Sequence, residues 1–234
     1  MQIHQPKITQ FENSQVFYNK ATEIIIDQIL DTTSQEGLAR ICLSGGSTPL
    51  PIYSQLSKNS NLNWYDIELF QTDERFIDPS SEESNQFQIE KALTPKILDN
   101  LKHFYKINTT LEKKLTLELY NEVIESLSGV FFDLTILGIG KDGHFASLFP
   151  DQEYLGHNDS RVIATTAPKT YSTRPRISLT IETILNSKMI LVLLKGKEKQ
   201  VVINELLEGK LSAQEFPAKF LLSHPNLSIF FTEK

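Results

Sequence analysis

The sequence predicts an α/β fold in three layers, α/β/α, around a mostly parallel central sheet. Two observations lead there. Short runs of nearly continuous apolar character, such as Leu38–Leu43, Ile67–Gln71 and Met189–Leu194, alternate with segments of helical period. Strands that read this way are buried on both faces, as in a parallel sheet covered by helices. Several of these runs also end in glycine or polar residues, as at Ser44-Gly45-Gly46, Thr72-Asp73 and Gly138-Ile139-Gly140. In such sheets ligands sit at the carboxyl ends of the strands.

Along the chain, Phe17, Ala21, Ile24, Ile25 and Ile29 recur every three or four residues and mark a helix with Ser14 as its cap. Leu38–Leu43 is a strand that runs into the glycine turn. Pro49–Leu56 is a helix with proline in its first turn. Ile67–Gln71 is a second strand and Ser84–Leu93 a helix. Thr109 and Glu112 have capping-box spacing. They precede the stripe Leu115, Leu119, Tyr120, Val123, Ile124 and Leu127 of a long amphipathic helix. Val130–Leu137, Val162–Thr166, Met189–Leu194 and Leu227–Phe231 are further strands, and Lys197–Leu207 a helix. No repeat, low-complexity tract or linker divides the sequence, so residues 1–234 are read as one domain.

Composition narrows the function. Lys and Arg number 23 against 29 Asp and Glu, a formal charge of −6, so there is no broad basic field and no nucleic-acid partner is expected. The longest apolar run, Met189–Leu194, is far short of the roughly 20 residues of a membrane span, so no membrane partner is expected. The single cysteine, Cys42, excludes an internal disulfide framework and a multi-cysteine metal site. Met1–Ser14 is polar and lacks a signal-peptide core, so a cytoplasmic location is expected.

The chemistry is sought after the strands. In Ser44-Gly45-Gly46-Ser47-Thr48-Pro49 the glycines let backbone approach a ligand, and the helix start offers unpaired N–H groups. That is either a phosphate cradle or an ordinary strand–helix turn. No lysine follows the second glycine, so the Walker pattern is absent. Thr72-Asp73-Glu74-Arg75 places three ionisable groups at a strand end. Arg75 can reach an anion with its fork of donors, or the segment is a solvated turn.

Gly138-Ile139-Gly140-Lys141-Asp142-Gly143 matches G-x-G-x-x-G. A dinucleotide reading fails, because Pro150 allows only a short helix and no acidic residue ends a strand about 20 residues on. Of His4, His103, His144, His157 and His224, only His144 lies in a glycine-rich loop at a strand end, two residues after Asp142. Basic residues follow later strands: Lys169, Arg174 and Arg176, then Lys195, Lys197 and Lys199. They either converge on one anion or solubilise a surface turn.

Five blocks carry a family resemblance. They are Ser44–Pro49, Asp73-Glu74-Arg75 with Ser84-Asn85, Gly138–Pro150, Arg176-Ile177-Ser178-Leu179-Thr180 and Gly196-Lys197-Glu198-Lys199. In this order, from about residue 10 to the end, the sequence resembles 6-phosphogluconolactonases. Glucosamine-6-phosphate deaminases of the same superfamily share several blocks. However, they resemble Asp-Gly-His-Ile-Ala-Phe-Asn-Glu-Pro where this sequence has Phe149 in place of the glutamate, and Asp-Glu-Tyr where it has Asp73-Glu74-Arg75. Both differences point to the lactonase.

The resemblance implies a Rossmann-like fold and hydrolysis of 6-phospho-D-glucono-1,5-lactone, without metal or organic cofactor, by a monomer. It implies His144 as general base, with Asp142 orienting it. It implies phosphate binding by Gly45, Gly46 and Ser47 with Arg176 and Lys199. Arg75 is expected to contact phosphate or sugar hydroxyls, and Asp73 hydroxyls. The rival readings are a glucosamine-6-phosphate deaminase and a non-catalytic sugar-phosphate-binding module.

Overall fold

A computed structural model of the protein describes residues 2–156 and 159–234, so His157 lies outside them. The described residues form ten strands: β1 (Lys7–Phe11), β2 (Ala39–Leu43), β3 (Ile67–Gln71), β4 (Asp73–Arg75), β5 (His103–Tyr105), β6 (Leu134–Leu137), β7 (Val162–Thr166), β8 (Pro175–Leu179), β9 (Ile190–Lys195) and β10 (Leu227–Thr232). The α-helices are α1 (Ser14–Glu36), α2 (Leu50–Leu56), α3 (Asn85–Leu93), α4 (Pro95–Asn100), α5 (Lys113–Glu125), α6 (Ile181–Leu185) and α7 (Lys199–Glu208).

Seven strands form one sheet in the order β1-β10-β9-β6-β2-β3-β5, with every neighbouring pair parallel. Alternation along each strand divides the core. Ile41, Leu43, Leu191 and Leu193 face one side, where Phe17, Ile25, Ile52 and Ile89 of α1–α3 pack. Cys42, Val192 and Leu194 face the other, with Tyr120, Ile184 and Val202 of α5–α7. The three layers are those expected from the continuous apolar runs. No helix among the described residues is long and apolar enough to cross a membrane.

The structure corrects several local expectations. Val162–Thr166 is a strand, but it belongs to a separate three-stranded antiparallel sheet, β4-β8-β7, packed on the α5–α7 side. Asn13, not Ser14, caps α1, its side-chain oxygen accepting the Val16 N–H at 3.0 Å. The Thr109–Glu112 capping box does not form. Asn108 Oδ1 takes the Thr110 N–H and hydroxyl at 3.1 and 2.7 Å, a local turn that competes with helix, and α5 starts at Lys113. The strand expected at Val130 begins at Leu134, because Phe131 N–H donates to the Asn186 carbonyl instead of joining the sheet ladder.

Strand order reverses between β2 and β6. From β2 the sheet builds outward through β3 to β5, and from β6 through β9 to β10. The loops after these two adjacent strands therefore open a crevice at their carboxyl ends.

Candidate active site

A cleft of about 270 Å³ occupies this crevice. Gly45, Gly46 and Ser47 line it from the turn after β2, Asp73 and Arg75 from β4, His144 from the loop after β6, and Lys199 from the start of α7. Four segments far apart in sequence thus meet at one sheet end. Asp142 and Arg176 are not on its wall; each acts on a residue that is.

The glycines of the 138–144 loop build the histidine site. Gly143 adopts φ +81°, and a Cβ there would also lie 2.4 Å from the Phe216 ring. A Cβ on Gly140 would lie 2.1 Å from His144 Nδ1 and 2.6 Å from Asp142 Oδ1. The second glycine of the G-x-G-x-x-G pattern therefore accommodates an imidazole and a carboxylate. The Gly140 N–H closes the loop on the His144 carbonyl at 2.8 Å.

His144 Nδ1 and Asp142 Oδ1 are 2.5 Å apart. An ionised carboxylate only accepts, so Nδ1 carries the proton and Nε2 is left as the nitrogen open to a substrate. Burial pushes the Asp142 carboxyl up, but the hydrogen bond and charge of His144 outweigh it and hold the carboxyl below its ordinary range. The buried Phe149 ring stands 4.8 Å from the imidazole, so the group that the sequence places here, five residues after the histidine, is apolar and has no proton to exchange. Ala146, on the cleft wall, is held at φ +48°, a conformation that costs a non-glycine residue energy and often marks a functional turn.

The three ionisable residues after β3 divide their work. Asp73 accepts from the Thr72 and Ser147 hydroxyls at 2.8 and 2.6 Å. Glu74 turns away and serves the fold. Its buried carboxylate takes the Asn85 and Gln86 N–H groups at the start of α3 at 2.7 and 2.6 Å, and the Arg75 N–H at 2.7 Å. Burial pushes its carboxyl up, against the pull of these bonds. Asn85, so placed, donates from Nδ2 to the Asp73 carbonyl at 2.9 Å. Its Oδ1 rests where a Cβ on Gly45 would come within 2.0 Å, so Gly45 lacks a side chain to admit Asn85. Gly46 instead needs its φ of +95°, and its N–H reaches Gln88 Oε1 at 3.2 Å.

Three cations stand in or beside the cleft. Arg75 and Arg176 lie directly across from each other in the β4–β8 pair. Arg176 is 5% exposed and its Nη1 is buried without a hydrogen-bond partner. Burial, then the like charge of Arg75, pull its guanidinium below the usual range. Lys199 Nζ donates to the Ile139 carbonyl at 2.6 Å, and burial lowers its ammonium too, against the opposing charge of Glu198. Cations strained by burial and by each other bind an anion readily.

A family model described as glucosamine-6-phosphate isomerases/6-phosphogluconolactonase matches residues 12–229. The protein belongs to this family. A Dictyostelium discoideum member named as a probable 6-phosphogluconolactonase is 32% identical over 222 residues, 93% of this chain and 94% of that protein. A Thermotoga maritima 6-phosphogluconolactonase is 34% identical over 168 residues, 72% and 74% of the two chains. The crystal structure of a 6-phosphogluconolactonase from Shewanella baltica OS155 matches with a TM-score of 0.88 at 26% identity, covering 99% of this chain and 100% of the other.

Sequence reasoning assigns no role to Ser147, which orients Asp73, or to Asn85, which links Asp73 to Gly45. Ser147 lies within the Gly138–Pro150 block, and that position is its one available signal.

Proposed function

We propose that this family member hydrolyses 6-phospho-D-glucono-1,5-lactone to 6-phospho-D-gluconate, a step of the oxidative pentose phosphate pathway. The observation that carries the reading is the imidazole of His144, held at Nδ1 by Asp142 and sharing one cleft with the glycine turn, Arg75 and Lys199.

His144 Nε2 takes a proton from water as the water oxygen bonds to the lactone carbonyl carbon. The bond from that carbon to the ring oxygen then breaks, and the ring oxygen leaves with the proton returned by Nε2. Asp142 stabilises the imidazolium in between. General base action of this kind contributes about 10²- to 10⁴-fold, roughly 3–5 kcal/mol of barrier. Gly45, Gly46 and Ser47 with Lys199 and Arg75 hold the phosphate, Arg176 adding its charge from across the β4–β8 pair, and Asp73 takes sugar hydroxyls. Anchoring the remote dianion sets the reacting carbon against Nε2.

Phe149 argues against the deaminase, because an apolar ring rather than a carboxyl stands beside the imidazole at that position. We place lactone hydrolysis in a monomer, in the cytoplasm. Assay of freshly generated lactone, with ammonia release from glucosamine 6-phosphate as control, tests the reading. Lactone opening above background without ammonia is expected, and ammonia release would overturn it.

A further inference from the structure

The loop between β7 and β8 brings a tyrosine to the catalytic pair. The Tyr171 ring lies 6.0 Å from the His144 ring at an interplanar angle of 87°, and 5.7 Å from Phe149. Phe149 itself meets the imidazole at 4.8 Å, so three rings are in mutual contact at distances where aromatic pairs attract. The Tyr171 ring also stands 6.0 Å from the Arg176 guanidinium carbon, within cation–π range. One residue therefore touches both the base and a cation of the phosphate end.

This loop is anchored on both sides. Ala167 N–H donates to the Arg174 carbonyl at 2.8 Å, and Arg174 Nε to the Ala167 carbonyl at 3.1 Å, which closes its base. The Ser172 and Thr173 hydroxyls donate to the Glu83 carboxylate at 3.1 and 2.6 Å. The carbonyl of Glu83 in turn accepts from Arg75 Nη1. Tyr171 also walls a groove with Asp142, Lys141, Pro150, Pro168 and Thr170, none of which lines the cleft that holds His144.

We propose that Tyr171 is a positioning residue for His144: its ring, clasped in place through Glu83, keeps the imidazole against Phe149 with Nε2 aligned on the lactone carbonyl. The inference rests on His144 acting as the base. The ring acts rather than the hydroxyl, because the contacts to His144, Phe149 and Arg176 are all made by the ring.

The test measures kcat and KM of wild type, Tyr171→Ala, Tyr171→Phe and Glu83→Ala, and repeats Tyr171→Ala in an Asp142→Asn background. Tyr171→Ala is expected to lower kcat about tenfold, since small misplacement of a reacting group is costly. Tyr171→Phe recovers kcat to within about twofold, and Glu83→Ala, which loosens the clasp at an exposed position, lowers kcat in the same direction. In the Asp142→Asn background the tyrosine change costs less than about threefold, because alignment is already lost. Unphosphorylated glucono-1,5-lactone shows the same fractional loss in Tyr171→Ala.

Unchanged kcat in Tyr171→Ala, an effect confined to KM, failure of phenylalanine to restore turnover, or a full second loss in the Asp142→Asn background would each overturn the inference. Should Tyr171→Ala fail to fold, unchanged kcat in Glu83→Ala does so. Wild-type enzyme that does not accelerate lactone opening would instead sink the reading of His144 itself, which keeps the two failures apart.

Discussion

The imidazole of His144 rests on Gly140 so closely that a single added carbon would fall 2.1 Å from Nδ1. Gly140 is not among the positive-φ glycines, so alanine meets no backbone obstacle there, only the His144–Asp142 pair. Gly140→Ala is expected to displace His144 and Asp142 and lower kcat about 10²-fold, with little loss of stability because the imidazole is at the surface of a cleft. Kinetics with thermal melts check this; near-normal kcat would show that the ring moves freely without cost.

His144→Ala should lower kcat by at least about 10²-fold while affinity for 6-phosphogluconate stays within a few-fold, because the proposed grip on the anion comes from other segments. Calorimetric titration of product against the variant separates the two effects. Equal losses in kcat and product affinity would mean that His144 binds rather than catalyses.

Asp142 has its carboxyl held below the ordinary range by His144. A carboxylate lowered on folding stabilises the fold above its unfolded value and loses that contribution as pH falls through the folded one. The contribution is therefore present above about pH 4 and fades at more acid pH. Asp142→Asn should flatten the stability profile across roughly pH 2–5, read from urea melts, and lower kcat at neutral pH. Profiles that superimpose would show that the pair holds no charge coupling.

The layered fold was legible because parallel strands buried on both faces are written as unbroken apolar runs, as in Ile67–Gln71 and Met189–Leu194. The small antiparallel sheet was not. β4 is three residues long and carries charge, and its pairing with β8 is fixed by partners about a hundred residues away, which no local period reports. His144, Lys199 and Arg75 were legible because glycine and charge at strand ends are unusual, and each reaches the cleft. Glu74, one residue from Asp73, carries the same kind of charge, and only the fold shows that it caps α3 while Asp73 faces the cleft. Tyr171 had no signal at all, since its value lies in what the loop folds against.

Glu74 is a stability residue. Glu74→Ala would leave the Asn85, Gln86 and Arg75 N–H groups without their acceptor and should cost about 2–4 kcal/mol. Urea unfolding measures it, and a change under about 0.5 kcal/mol would show that water replaces the carboxylate without penalty.

Lys199→Ala should raise KM for the phosphorylated lactone about 10- to 100-fold and leave hydrolysis of unphosphorylated glucono-1,5-lactone nearly unaltered. Added salt should raise the wild-type KM in the same direction. Equal effects on both lactones would move the phosphate grip elsewhere.

The central claim is tested most directly by following acid release in a pH-stat from freshly generated 6-phosphogluconolactone, with wild type and His144→Ala side by side. The account predicts rapid opening with wild type and a rate for the variant close to the spontaneous background. A wild-type rate no faster than background, or a variant as fast as wild type, would contradict it.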